Sequence, residues 1–114
     1  MVGARLIGLE VAATARALGC GITVVEAVPE ALGRVLPPMI AQAITRLHQH
    51  HGVDILAGLQ LNRFEQVGGM VAAMDQNSTS IVADTVVTAV GMTPATSLAE
   101  RVRCPRPSPC HGSC

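Results

Sequence analysis

The sequence predicts an α/β fold: a parallel sheet with helices on its faces, its first strand truncated, and a small antiparallel meander. Three observations carry this. Segments with helical spacing of apolar residues alternate with short β-branched runs, the order of a parallel sheet with crossover helices. Apolar residues make up 49% of the chain and aromatic ones 1%, so the core must be built from Val, Ile, Leu, Ala and Met, which suits a sheet covered on both faces. Between residues 59 and 83 the pattern changes to short apolar runs separated by Gly68-Gly69 and by Asp75-Gln76-Asn77-Ser78, residues that turn antiparallel strands.

The elements follow in order. Met1-Val2 reads as the last stub of a strand. A helix is expected over 7–18, with Ile7, Val11, Ala15 and Leu18 on one stripe. Gly19 stands where a helix end needs the left-handed conformation. Ile22-Thr23-Val24-Val25 reads as a buried strand ending at Glu26. Pro37-Pro38 opens a second helix, since proline is tolerated in the first turn. Ile40, Ala43, Ile44 and Leu47 supply its stripe, and Gly52 ends it. Val53-Asp54-Ile55-Leu56 is a short strand, and 84–90 returns to a buried strand ending in Gly91. The parallel sheet is therefore expected from 1–3, 21–26, 53–56 and 85–90. Residues 1–98 read as one domain. Residues 99–114, rich in Pro, Arg, Ser and Cys without periodicity, read as a disordered tail.

Composition excludes several functions. Net charge is zero, so no basic field draws nucleic acid or an anionic membrane. Phe64 alone is aromatic, which leaves no stacking platform for single strands. Glu10, Arg16 and Glu26 interrupt the apolar stretches well short of the ~20 residues that a membrane span requires. Gly8-Leu9-Glu10 breaks any signal-peptide core. A cytoplasmic setting with reduced thiols is the expectation.

The chemistry sits in Gly3-Ala4-Arg5-Leu6-Ile7-Gly8 and in Glu26. A dinucleotide-binding turn needs glycine for the turn itself, glycine where the backbone meets the pyrophosphate, and glycine where helix packs on strand. Gly3 and Gly8 fill the first and third positions, and Arg5 stands at the second. Its guanidinium either pairs with phosphate or fills the phosphate's space. Glu26, about 20 residues on, stands where a carboxylate hydrogen-bonds the adenosine ribose and disfavours a 2′-phosphate, so NAD is expected over NADP. The bland alternative for Glu26 is a solvated residue at a strand end.

Ile7-Gly8-Leu9-Glu10-Val11-Ala12-Ala13 and Val24-Val25-Glu26 resemble the Rossmann-like NAD-binding domain of pyridine-nucleotide-dependent flavoprotein reductases. Arg34-Val35-Leu36-Pro37-Pro38, Leu47-His48, His51-Gly52-Val53-Asp54-Ile55, Ala83-Asp84, Val90-Gly91-Met92-Thr93-Pro94 and Leu98-Ala99-Glu100 resemble the ferredoxin/rubredoxin reductase branch. The resemblance covers residues 1 to 100. It implies that Glu10 faces the nicotinamide, Ile7 lines the dinucleotide, Arg34 contacts adenosine ribose or phosphate, and Gly91 leaves room for the carboxamide. It implies oxidoreductase chemistry in which hydride passes from NADH to FAD and electrons leave to a ferredoxin-type iron–sulfur protein. The FAD-binding portions of the family lie on both sides of this domain and have no counterpart in the sequence, so the chain is not expected to be catalytic alone. A partner bearing FAD is implied. The chain departs from the family at Arg5, at Ala95 where asparagine is usual, and in its first strand, of which only Met1 and Val2 stand.

Two other readings stay open: a truncated or frameshifted product without a cofactor site, and a small zinc-binding interaction module built on the tail. Cys104, Cys110, His111 and Cys114 lack a C-x-x-C pair, and two of them are adjacent, which strains tetrahedral closure. His48, His50 and His51 read as ordinary residues at a helix end rather than metal ligands. Cys20 reads as a small core residue.

Overall fold

The computed structural model describes residues 1–77 and 79–98. Seven elements follow one another: α1 Leu6–Ala17, β1 Ile22–Glu26, α2 Pro38–His50, β2 Val53–Ala57, β3 Leu61–Val67, β4 Met70–Asp75 and β5 Ser80–Ala83. Strands β1 and β2 pair in parallel, from Ile22 opposite Val53 to Glu26 opposite Ala57. Strands β3, β4 and β5 form an antiparallel sheet in sequence order. The α/β expectation with its meander therefore holds.

The parallel layer extends beyond β1 through the stub. Val2 bridges both Val25 and Thr88 in parallel. Val25 N–H donates to Met1 C=O at 2.9 Å and Gly3 N–H to Val25 C=O at 2.8 Å. On the other side Val2 N–H donates to Val87 C=O at 2.8 Å and Ala89 N–H to Val2 C=O at 2.7 Å. The spatial order is β2, β1, Met1-Val2, then the 86–90 segment. That segment is not the buried strand expected over 85–90. It carries one bridge, at Thr88, because a two-residue partner offers no longer ladder.

The core is small-residue packing between helices and sheet: Ala4, Leu9, Ala12, Val24, Ala31, Leu32, Ala41 and Val53. Its largest fully buried side chain is Val24. Both helices turn other faces inward than the apolar stripes indicate. In α1 the buried residues are Gly8, Leu9 and Ala12, while Ile7 and Leu18 are exposed. In α2 it is Ala41, with Ile44 packed partly against the core, while Ile40 and Leu47 are exposed. Close approach of a helix to a sheet selects small residues at the contact, and these carry little weight in an apolar pattern. Cys20 is exposed rather than buried, since it follows the Gly19 turn at the end of α1, where φ is +89°.

The punctuation behaves as its chemistry dictates. Pro37 and Pro38 occupy the cap and first position of α2. Gly68 and Gly69, with φ of +58° and +85°, make the two-residue turn of the β3–β4 hairpin. Asp75 Oδ1 accepts from Asn77 N–H at 2.9 Å and Thr79 N–H at 2.8 Å, closing the next turn.

Candidate functional site

The turn between the stub and α1 is built on two close approaches. A Cβ on Gly3 would lie 2.6 Å from Ala89 O, and Gly3 has φ of +102°. A Cβ on Gly8 would lie 2.1 Å from Gly3 O. Each glycine is therefore required by packing, the first for the turn and the second for seating the helix. Arg5, between them, has φ of −90°, which any residue adopts, so its backbone carries no strain.

Arg5 caps α1 without a side-chain hydrogen bond. The first intrahelical bond is Leu9 N–H to Arg5 C=O at 3.0 Å. The amides of Leu6, Ile7 and Gly8 thus point out of the helix start, and no acidic side chain stands in the first turn. Such an end attracts an anion through its free amides and its dipole.

Glu26 comes to this turn from the end of β1. Its Oε2 accepts from Ala4 N–H at 2.7 Å, and its Oε1 accepts from Val28 N–H at 3.2 Å. The half-buried carboxylate is fixed by two amides from two loops, so it is not a merely solvated strand end. Both oxygens keep lone pairs for a hydroxyl donor. The loop after β1 folds back over the turn: Leu32 N–H donates to Ala4 C=O at 3.1 Å. Leu32 is 2% exposed and has φ of +61°, a conformation costly for leucine and held here by burial and that hydrogen bond.

These pieces enclose a cleft of about 220 Å3 lined by Gly3, Arg5, Glu26, Val28, Arg34 and Val90, among others. Among the described residues neither guanidinium has an ion-pair partner. The structure thus brings together Gly3, Glu26 and Arg34, with Gly8 seated beneath the turn. Ile7, Glu10 and Gly91 are exposed and lie outside the lining of this cleft, although Gly91 follows Val90 directly. Sequence reasoning missed Ala4 and Leu32. Ala4 acts through its backbone amide, and the positive φ of Leu32 has no mark in the sequence.

A larger depression of about 530 Å3 lies between the C-terminal halves of α1 and α2. Its polar groups are already committed. Arg16 donates to the carbonyls of His51 and Cys20, and the His48 ring nitrogens stand 2.9 and 3.2 Å from the carbonyls of Ile44 and Leu9. Size does not make it the better site, because no free polar group converges there. Among the described residues no three metal-binding side chains cluster, and no helix is long and apolar enough to cross a membrane. Cys104, Cys110, His111 and Cys114, and the expected tail as a whole, lie outside the described residues.

Comparison with known proteins gives a consistent set of matches. Residues 1–108 match the pyridine nucleotide-disulphide oxidoreductase family. The chain is 34% identical over 100 residues to the ferredoxin–NAD(+) reductase component of an anthranilate 1,2-dioxygenase system from Burkholderia cepacia, covering 88% of this chain and 25% of the relative. It is 37% identical over 101 residues to the ferredoxin–NAD(+) reductase subunit of a benzene 1,2-dioxygenase system from Pseudomonas putida, covering 89% and 25%. A ferredoxin reductase structure from Rhodopseudomonas palustris superposes with a TM-score of 0.81 at 33% identity, covering 88% of this chain and 25% of that one. Putidaredoxin reductase in its covalent complex with putidaredoxin also gives a TM-score of 0.81 at 33% identity, covering 90% and 25%. The chain spans about a quarter of the length of these relatives.

Proposed function

Because the chain belongs to the pyridine nucleotide-disulphide oxidoreductase family, we propose that it is the NAD(H)-binding part of a ferredoxin-reductase-like flavoprotein, serving catalysis only together with FAD-binding regions. In this reading residues 1–98 are the binding domain, residues 99–114 an appended tail, and the cytoplasm the setting. The observation that carries it is the Glu26 carboxylate, fixed by Ala4 and Val28 amides beside the uncapped start of α1, in one cleft with Arg5 and Arg34.

The residues fit a dinucleotide in three respects. The open amides of Leu6 to Gly8 suit the pyrophosphate. Glu26 offers an acceptor to the ribose hydroxyls and repels a 2′-phosphate. Arg5 and Arg34, without an ion-pair partner among the described residues, supply guanidinium groups for phosphate oxygens. Ile7, Glu10 and Gly91, exposed and outside the lining of the cleft, are assigned to the nicotinamide end by the family resemblance. The bound nicotinamide supplies a hydride for a flavin carried by another part of the enzyme, and a ferredoxin-type iron–sulfur protein is the acceptor class. The chain's own contribution is to hold the dinucleotide in position.

Calorimetric titration of NADH and NADPH into the full chain tests this. NADH is expected to bind roughly tenfold more tightly, a difference of ~1.4 kcal/mol. Glu26→Gln should abolish the preference. Arg5→Ala should weaken both ligands alike, because pyrophosphate is common to them. Absence of heat from either ligand in a folded chain would leave the reading of a fragment without a cofactor site.

A further inference from the structure

The two charges of opposite sign in the cleft are joined by a short chain of backbone bonds. Ala4 N–H donates to Glu26 Oε2 at 2.7 Å. The carbonyl of the same residue accepts from Leu32 N–H at 3.1 Å. Leu32 C=O in turn accepts from Val35 N–H at 2.8 Å and from Leu36 N–H at 3.0 Å. The turn that displays Gly33 and Arg34 is thus closed on Leu32, and Leu32 hangs from Ala4. On its outer side the loop is tied elsewhere: Gly33 N–H donates to Glu30 C=O at 3.2 Å, and Gln42 of α2 donates to Glu30 Oε1 at 3.1 Å.

Leu32 keeps this place at a cost. Among the described residues it is the one non-glycine with a positive φ, +61°, a region that L side chains rarely adopt. Its side chain is 2% exposed and belongs to the core cluster with Ala4, Leu9 and Ala31. Rotation about N–Cα to an ordinary negative φ would turn the side chain and the N–H relative to each other. Burial and the bond to Ala4 could then not both be kept. Strain that survives because its surroundings over-determine it is a feature of ligand clamps. Here the strained residue stands between the acceptor Glu26 and the cation Arg34, both of which line the cleft.

We propose, resting on the dinucleotide reading of the cleft, that Leu32 is a positioning residue for the bound nucleotide. Its buried, left-handed backbone hooks the Arg34 turn onto Ala4 and holds the Arg34 guanidinium at a fixed spacing from the Glu26 carboxylate. Ribose hydroxyl and phosphate oxygens of one nucleotide are then met together. Without the hook Arg34 is still present, but its turn must be ordered on binding, and that cost cancels what its contact contributes.

A double-mutant cycle on NADH affinity tests this, with Arg34→Ala, Leu32→Gly and the pair compared with the unaltered chain by calorimetry. Arg34→Ala should weaken NADH roughly tenfold, the scale of one hydrogen bond to a charged group. In the Leu32→Gly background it should cost less than about twofold, because coupled residues are not additive. Leu32→Met retains a large buried side chain and should restore the roughly tenfold cost. A second measurement does not depend on the folding of the glycine variant. Saturating NADH should slow hydrogen exchange at the Leu32 amide in the unaltered chain and leave it unchanged in Arg34→Ala, since coupling is reciprocal. Equal cost of Arg34→Ala in both backgrounds, or equal slowing with and without Arg34, would make Leu32 a core residue only and overturn the proposal while the dinucleotide reading stands. A folded, unaltered chain that binds no NADH would remove that reading and the positioning role with it.

Discussion

The two halves of this chain hold themselves together in opposite ways. The α1–β1–α2–β2 half has a core but few local bonds between its strands. Its parallel neighbours are joined through long connections, and Ala4, Leu9, Val24 and Val53 meet only when the whole half is assembled. The β3–β5 half has hairpin ladders and turn chemistry in sequence order but little core. Among its strands Ala72, Ala73 and Asp75 are buried, while Phe64, Val67, Met70 and Val82 are exposed. The first half carries the cleft, and its geometry depends on tight approaches. The second is a local structure that leaves most of its larger apolar side chains exposed among the described residues. Damage to the first should therefore be global and damage to the second local.

The largest expected effect is in the first half. Gly8→Ala sets a Cβ 2.1 Å from the Gly3 carbonyl oxygen, backbone that cannot move aside without displacing the turn. We expect a loss of ~3 kcal/mol in denaturant unfolding, the upper part of the range for overpacking, together with loss of NADH binding. A smaller and confined effect is expected in the meander. Asp75→Ala strips the acceptor from Asn77 and Thr79. It should cost ~1–2 kcal/mol and speed hydrogen exchange at those two amides while leaving NADH affinity unchanged. A global loss of protection would erase the distinction between the halves.

The smallest effect concerns the stub. Burial holds the Met1 ammonium below the ordinary α-amino value, roughly 8. The folded chain thus gives up this proton more readily than the unfolded one. The stability that follows is present above pH ~8 and is lost as pH falls through the lowered pKa. N-terminal acetylation should flatten this part of the stability–pH curve, read by thermal unfolding from pH 6.5 to 9.

The comparison also explains what the sequence disclosed. Pro37-Pro38, Gly19, Gly68-Gly69 and Asp75 were legible because each acts through its own backbone or its near neighbours. The buried faces of α1 and α2 were not, because Gly8, Ala12 and Ala41 are buried by being small while Ile7, Leu18 and Leu47 draw the eye and stay outside. The 85–90 strand failed for a non-local reason: its extent depends on a partner only two residues long. In the cleft, Gly3, Glu26 and Arg34 were found by type and spacing. Ala4 and Leu32 were hidden because an amide and a backbone angle are not residue types.

The most direct test of the account is a backbone-amide NMR titration of the full chain with NADH. Shifts should concentrate at residues 3–10, 26–34 and 89–91, with residues 61–77 and 79–83 unmoved. Shifts centred on the meander, or a folded spectrum indifferent to NADH, would contradict the assignment of the dinucleotide to the α1–β1 turn.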